Sequence, residues 1–257
     1  MTAARIEHLI LKITFKLLFC IIVPVFAQDG LNTASASEPG SGADENSINQ
    51  NDLLAVYSKL EKSDGRVFTL SPKLSSIRIY AFRGGAAPGL GHNHVLTSPN
   101  FTGFIYLPDK GLSNARFDLE FRLDQLEIDN PDARANLGEA FEPTPTLDAI
   151  KRTRDHMLGE DNLQENQFPF VRIHSVHVAG EAPKFAVEVQ VELHGQQQKM
   201  SIPISVEGLP NHITATGAFV IRQSDFGIKP YSVLGGFLAV QNEVVIEFSL
   251  SDTYSPL

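Results

Sequence analysis

Phe117-Asp118-Leu119-Glu120-Phe121-Arg122-Leu123-Asp124 alternates apolar and charged side chains without a break. A period of two places one set on each face of a β-strand. The pattern returns at Phe185, Val187, Val189, Val191 and Leu193, and again at Met200, Ile202, Ile204 and Val206. Strands with one greasy face must hide those faces against each other, and a single sheet does so by curling into a barrel or folding into a sandwich. Whether the enclosed interior is filled or hollow then decides function.

Nine strands are predicted, near 66–71, 75–83, 100–107, 113–125, 169–179, 184–194, 198–207, 212–222 and 237–250. Turns are signalled by Pro108-Asp109-Lys110-Gly111, Gly180 to Pro183, Gly195 and Gly208 to Asn211. The apolar phase changes between Ile173 and Val176, as a β-bulge requires. Between the fourth and fifth strands the period becomes helical. Thr144 is the expected cap, Pro145 the first helical residue and Gly159 the end. Leu147, Ile150, Met157 and Leu158 form the expected buried stripe. Arg154 shares it and so needs a carboxylate or carbonyl partner.

Eight strands of about ten residues with tight turns need only about 110–120 residues. The surplus here is the excursion Pro131 to Gln167 and two Gly-rich loops, Gly84 to Gly91 and Phe226 to Gly236. Such material suits the cover of a barrel mouth.

The N-terminus reads as an export signal. Arg5, Lys12 and Lys16 lead into the apolar run Leu17 to Phe26, and Val25-Phe26-Ala27 offers a cleavage site before Gln28. A retained signal anchor is the alternative reading. The lone Cys20 lies inside this segment, without the small preceding residue of a lipid-modified cysteine. Cleavage leaves no cysteine, hence no disulfide and no thiolate metal site. Removing Arg5, Lys12, Lys16 and Glu7 from 21 basic and 30 acidic residues leaves 18 and 29, a net charge of −11. That balance opposes nucleic acid and anionic lipid surfaces as partners. The expected organisation is a signal peptide over 1–27, a flexible linker over 28–65 and a barrel domain over 66–252. A short helix is conceivable over 51–62. No stable membrane span is expected after cleavage, which places the chain in the periplasm or outside the cell.

Six stretches then occur in a telling order: His92-Asn93-His94-Val95 with Phe101-Thr102-Gly103-Phe104; Leu126-Glu127-Ile128-Asp129; Thr153-Arg154-Asp155-His156-Met157-Leu158; Phe168-Pro169-Phe170-Val171; Leu193-His194-Gly195; and Arg222-Gln223-Ser224-Asp225-Phe226-Gly227-Ile228. Together they resemble the YceI-like family of exported, polyisoprenoid-binding, lipocalin-like proteins. The resemblance runs from about Ser75 to Leu250. It implies an all-β antiparallel barrel of about eight strands with one inserted helical excursion. It also implies an apolar pocket holding an isoprenoid such as a quinone tail or a polyprenyl chain, and no catalytic turnover. The side chains expected at the ligand are His94, at its head group, with Phe82, Phe101, Phe104, Phe121, Arg154, Phe168 and Phe226. The chain departs from the family in reading Gln241-Asn242 where an Asp usually precedes the last strand.

Other classes remain open on sequence. His92 and His94, two apart, would point the same way from a strand, and His156, His174, His177 or His194 could complete a metal site for a metal-dependent enzyme or metal-binding protein. No zinc spacing accompanies them, and no metal cofactor is assigned. Asp225-Phe226-Gly227 lacks every companion of a kinase motif and reads as a turn, with Gly227 supplying an unusual backbone angle. A solid barrel, an outer-membrane barrel and a homodimer joined at a wide mouth complete the alternatives.

Overall fold

Alternating strands dominate the computed structural model, which describes residues 50–253. The proposed signal segment and most of the expected linker lie outside the described residues. Twelve strands are present: β1 (Gly65–Thr69), β2 (Ser76–Gly84), β3 (His94–Thr97), β4 (Thr102–Pro108), β5 (Arg116–Arg122), β6 (Glu127–Ile128), β7 (Phe170–Glu181), β8 (Lys184–Leu193), β9 (Gln196–Glu207), β10 (Thr214–Arg222), β11 (Ser232–Val233) and β12 (Leu238–Ser251). Three helices accompany them: α1 (Gln50–Leu60), α2 (Pro131–Arg134) and α3 (Leu147–Leu158). All nine predicted strands occur. The count exceeds the nine predicted because β3, β6 and β11, of two to four residues, are too short to show a period.

The strands form one antiparallel sheet in the order β1-β4-β5-β7-β8-β9-β10-β12-β2-β3-β6, with β11 folded back on β12. The sheet curls until the end of β1 meets the end of β12. Leu70 bridges Asp252, the Ser71 N–H donates to the Ser251 carbonyl at 2.8 Å, and the Thr253 N–H donates to the Thr69 carbonyl at 3.1 Å. This is the lipocalin-like barrel in outline, clasped at one rim.

Local chemistry explains the turns. Leu193 pairs directly with Gln196, so His194 and Gly195 are the whole β8–β9 turn, with φ of 54° and 68°. Two positive φ values in a two-residue hairpin match the right-handed twist of the flanking strands. The bulge expected in β7 lies between Ser175 and His177, and it carries Val178 rather than Val176 to the inner face. The helix of the excursion begins two residues later than predicted. Its cap is Thr146, whose Oγ1 accepts from the Ala149 N–H at 3.2 Å, and Leu147 is exposed rather than part of a buried stripe.

The outer face of β5 also differs from expectation, since its charged side chains are not in water. Asp118 and Glu120 are buried. Beside them α1, the short helix expected over 51–62 within the linker, packs on β4, with Leu53 and Tyr57 buried against Phe104 and Tyr106. The Tyr57 ring stacks on Phe104 at 4.7 Å, and its hydroxyl donates to Asp118 Oδ2 at 2.8 Å. Arg116 Nε holds the same oxygen at 2.5 Å, while Arg172 bridges Glu120 and Glu192 at 2.7 and 3.0 Å. Burial, followed by the neighbouring Asp118 carboxylate, pushes the Tyr57 hydroxyl well above its ordinary pKa, so it remains a donor. Tyr57→Phe should therefore cost only about 1 kcal/mol in urea unfolding, because Arg116 still satisfies Asp118. Tyr57→Ala should cost about 3–5 kcal/mol through the lost ring.

Candidate functional site

The inward faces of the strands enclose a cavity of about 680 Å³. From β5 come Phe117, Leu119 and Phe121, and from β8 come Val187, Val189 and Val191. A barrel of this class either fills with side chains or leaves room for one small ligand. Here most of the wall is Val, Ile, Leu and Ala, whose reach is short, and many phenylalanines are spent elsewhere. That choice of residues is why space remains.

Polar side chains collect at one rim of the cavity. The row where Ala81 faces His94, Arg122 faces Phe170 and Arg222 faces Glu243 marks that end of the strands. Across it lies α3, which contributes Arg152, Thr153, His156 and Met157 to the lining. Tyr231 joins them, its ring 5.1 Å from that of His156. The lining includes three histidines (His92, His94, His156) and two arginines (Arg116, Arg152), but no Asp or Glu. Arg116 belongs to the opposite end of β5.

His94 is held by a buried network. Its Nδ1 lies 2.6 Å from Oδ2 of Asp129, which is 1% exposed. Oδ1 of Asp129 accepts from the Val95 N–H at 3.1 Å and from Arg134 Nη1. Arg134, also buried, donates to the Asn93 carbonyl at 3.0 Å and to the Phe141 carbonyl. The Asn93 amide ties the assembly to the Ala140 carbonyl at 2.8 Å and accepts the Arg83 N–H at 2.9 Å. Burial alone would raise the Asp129 pKa, but His94, the Val95 N–H and Arg134 together hold it below the ordinary carboxyl value. An ionised Asp129 fixes His94 as an Nδ1–H donor and leaves Nε2 for the cavity side. Burial, aided by His94 and Arg134, lowers the His92 pKa and favours its neutral ring.

Of the residues expected at a ligand, His94 and Phe121 line the cavity and six do not. Phe82 and Phe104 are corrections of parity. Ile77, Ile79 and Ala81 of β2 and Ile105 and Leu107 of β4 face inward, so the even-numbered aromatics face outward. Phe82 packs edge-on against Phe141 at 6.4 Å, and Phe104 sits under α1. Phe101 packs against the core without reaching the wall. Phe168 stands edge-on to His194 at 5.0 Å, where a Cβ on Gly195 would collide with its ring. Phe226 is 1% exposed in the core beneath the turn that Gly227 closes at φ 70°.

Arg154 is a brace rather than a ligand group. It donates to the Leu126 carbonyl at 2.5 Å and to the Asp124 carbonyl, pinning α3 to the segment after β5. Arg154→Met should leave both carbonyls unsatisfied. Amide exchange over 147–158 is expected to lose about 1–3 kcal/mol of protection while the sheet stays protected. Asn242, at the family departure, clasps Ser224 through two hydrogen bonds of 2.8 and 2.9 Å.

The metal alternative is not supported. No cluster of three or more His, Cys, Asp or Glu side chains that could hold an ion occurs among the described residues. The His92 and His94 rings are 6.5 Å apart, and His94 is turned to Asp129. Sequence reading named His94 but missed Asp129 and Arg134. Asp129 stood in a quoted motif with nothing to mark it as buried.

Comparison with known proteins follows this geometry. The YceI-like domain model matches residues 68–251, most of the chain and nearly all of the barrel. No curated protein matches. BcnA of Burkholderia cenocepacia shares the fold, with a TM-score of 0.54 and 15% identity over 72% of this chain and 99% of that chain. A YCEI protein of Campylobacter jejuni, crystallised with large solvent channels for nanotechnology applications, gives a TM-score of 0.43 and 10% identity over 62% of this chain and 85% of that one. With its inward Val and Ile walls and the ordered motifs from His92 to Ile228, the chain belongs to the YceI-like family.

Proposed function

We propose that this chain is an exported binding protein, periplasmic or secreted, that holds one isoprenoid lipid in its barrel for transport or storage. The ligand is quinone-like or polyprenyl, and the protein does not turn it over. The observation that carries this reading is the apolar cavity of about 680 Å³ with polar groups gathered at one rim. Its size falls within the usual range for small-molecule sites. Each buried methylene contributes roughly 0.8 kcal/mol, so an isoprenoid tail needs only an apolar channel. At the rim, His92, His156, Arg152 and Tyr231 offer donors to a carbonyl or phosphate oxygen, His94 Nε2 can accept from a head-group hydroxyl, and no lining carboxylate repels an anionic head. Family membership supports a binding role. Among the described residues no helix is long and apolar enough to cross a membrane.

The test is mass spectrometry of solvent extracts from protein exported by a bacterium and purified without detergent. A stoichiometric isoprenoid, absent from a control protein handled alike, supports the proposal and names the head group. An extract without lipid, followed by failure to rebind quinones or polyprenyl phosphates, overturns it. N-terminal sequencing of the same sample should begin near Gln28.

A further inference from the structure

Nine large apolar side chains are exposed among the described residues, and five of them surround the cavity's polar rim. Leu90 (67% exposed) sits on the loop between β2 and β3, and Leu234 (64%) and Phe237 (48%) on the loop between β11 and β12. Leu147 (84%) opens α3, and Tyr231 precedes β11. The two loops are one structure, because the Ala86 N–H donates to the Gly236 carbonyl at 3.1 Å and the Ala87 N–H to the Phe237 carbonyl at 2.9 Å. Of the other four exposed apolar residues, Leu54, Leu74 and Val176 belong to other parts of the fold, and Val220 faces outward on β10 just below the rim. Single exposed apolar residues are ordinary, but a group gathered on joined loops at a cavity entrance is not.

Two further observations say what covers this rim. In a chain with 30 acidic residues, the loops Gly84 to Gly91 and Gly227 to Phe237 carry no Asp or Glu and one cation, Lys229. Leu234 also holds a left-handed backbone, φ 53°, which glycine or asparagine would adopt more readily and in better accord with water. An exposed leucine in that conformation is selected for its side chain, not for the turn. Apolar tips on these two acid-free loops match the bilayer interface, where apolar groups enter the acyl boundary; the exposed carboxylates of Asp148 and Glu243 lie elsewhere on the rim.

We infer that the rim formed by Leu90, Leu234, Phe237 and Leu147 docks on a lipid bilayer surface, so that the cavity entrance opens into the layer from which its ligand comes. This rests on the lipid-carrier reading above. Docking by the rim lets a tail pass between membrane and barrel without crossing water.

The chain contains no tryptophan, so one introduced indole reports its own surroundings. In the full chain, Phe237→Trp is to be compared with Leu74→Trp, an exposed site before β2 at the opposite end of that strand. Vesicles of phosphatidylethanolamine and phosphatidylglycerol, containing brominated acyl chains, serve as probe. The Phe237→Trp emission should shift to the blue and be quenched, and that of Leu74→Trp should do neither. Equal responses at the two sites, or none at Phe237→Trp, overturn the inference. The Leu234→Ser/Phe237→Ser variant should take up a quinone from vesicles about tenfold more slowly or worse, yet bind a short soluble isoprenoid as wild type does. If no protein binds any isoprenoid, the carrier reading fails, and the tryptophan signal still decides the docking.

Discussion

Asp129→Ala is expected to destabilise the fold by about 3–5 kcal/mol, read as a lower urea midpoint at neutral pH. The carboxylate satisfies Arg134, the Val95 N–H and His94 at once, and it does so with 1% exposure. Its removal strands a buried guanidinium, which costs more than a lost surface ion pair. Alanine is also ill suited to the φ of 53° at this position. Asp129→Asn separates the two causes, since asparagine tolerates that backbone but does not neutralise Arg134. A midpoint unchanged in both variants would show that the network does not hold the fold.

The same carboxylate sets a pH dependence. Its folded pKa is depressed, so its stabilisation is complete above the unfolded value of about 4 and is lost as pH falls through the folded value. His92, also depressed, contributes in the same direction but higher. Wild-type stability should begin to decline below about pH 6.5, as the unfolded chain binds a proton that the His92 ring resists in the folded state, and should fall more steeply below about 4. In Asp129→Ala the lower, steeper phase should shrink. A gap between wild type and variant that stays constant from neutral pH to pH 3 would contradict this account.

Ligand affinity should respond most to the cavity wall. Val189→Phe/Val191→Phe places two larger rings where the wall is now short, on side chains 1% and 3% exposed. If the pair excludes about four methylene groups of tail, the loss is about 3 kcal/mol, or roughly a hundredfold in Kd. Stability should change by less than about 1.5 kcal/mol, because the rings grow into the cavity rather than into packed neighbours. Phe82→Leu, on the outer face, should leave Kd unchanged. Unaltered binding in the double variant would place the ligand outside the barrel.

Period carried most of this fold. The alternation at Phe117 to Asp124 located β5 and its inner face, the phase change located the β7 bulge, and the glycines located the hairpin turns. Short strands escaped because two to four residues show no period. The outer face of β5 was misread because alternation separates faces without saying what covers the second one, and here Tyr57 covers Asp118 and Arg172 covers Glu120. The candidate site was legible where residue type and parity agreed, as at Phe121, and not where aromatics were chosen by type alone, as at Phe82 and Phe104. Asp129 and Arg134 were hidden for another reason: burial of a charge is a tertiary fact, carried by strands and loops that meet only on folding.

The clasp between β1 and the end of β12 has a consequence in time. The Ser75 hydroxyl and the Ser251 backbone, 176 residues apart, exchange hydrogen bonds, and Leu70 waits for Asp252. Partners so distant in sequence form late, and the sheet has no complete rim until the end of β12 is available. A chain threaded through a membrane N-terminus first therefore cannot shut its barrel while any of it is still in transit. Under the export proposed above, closure would wait for the end of β12, and the cavity would exist only once that strand had emerged.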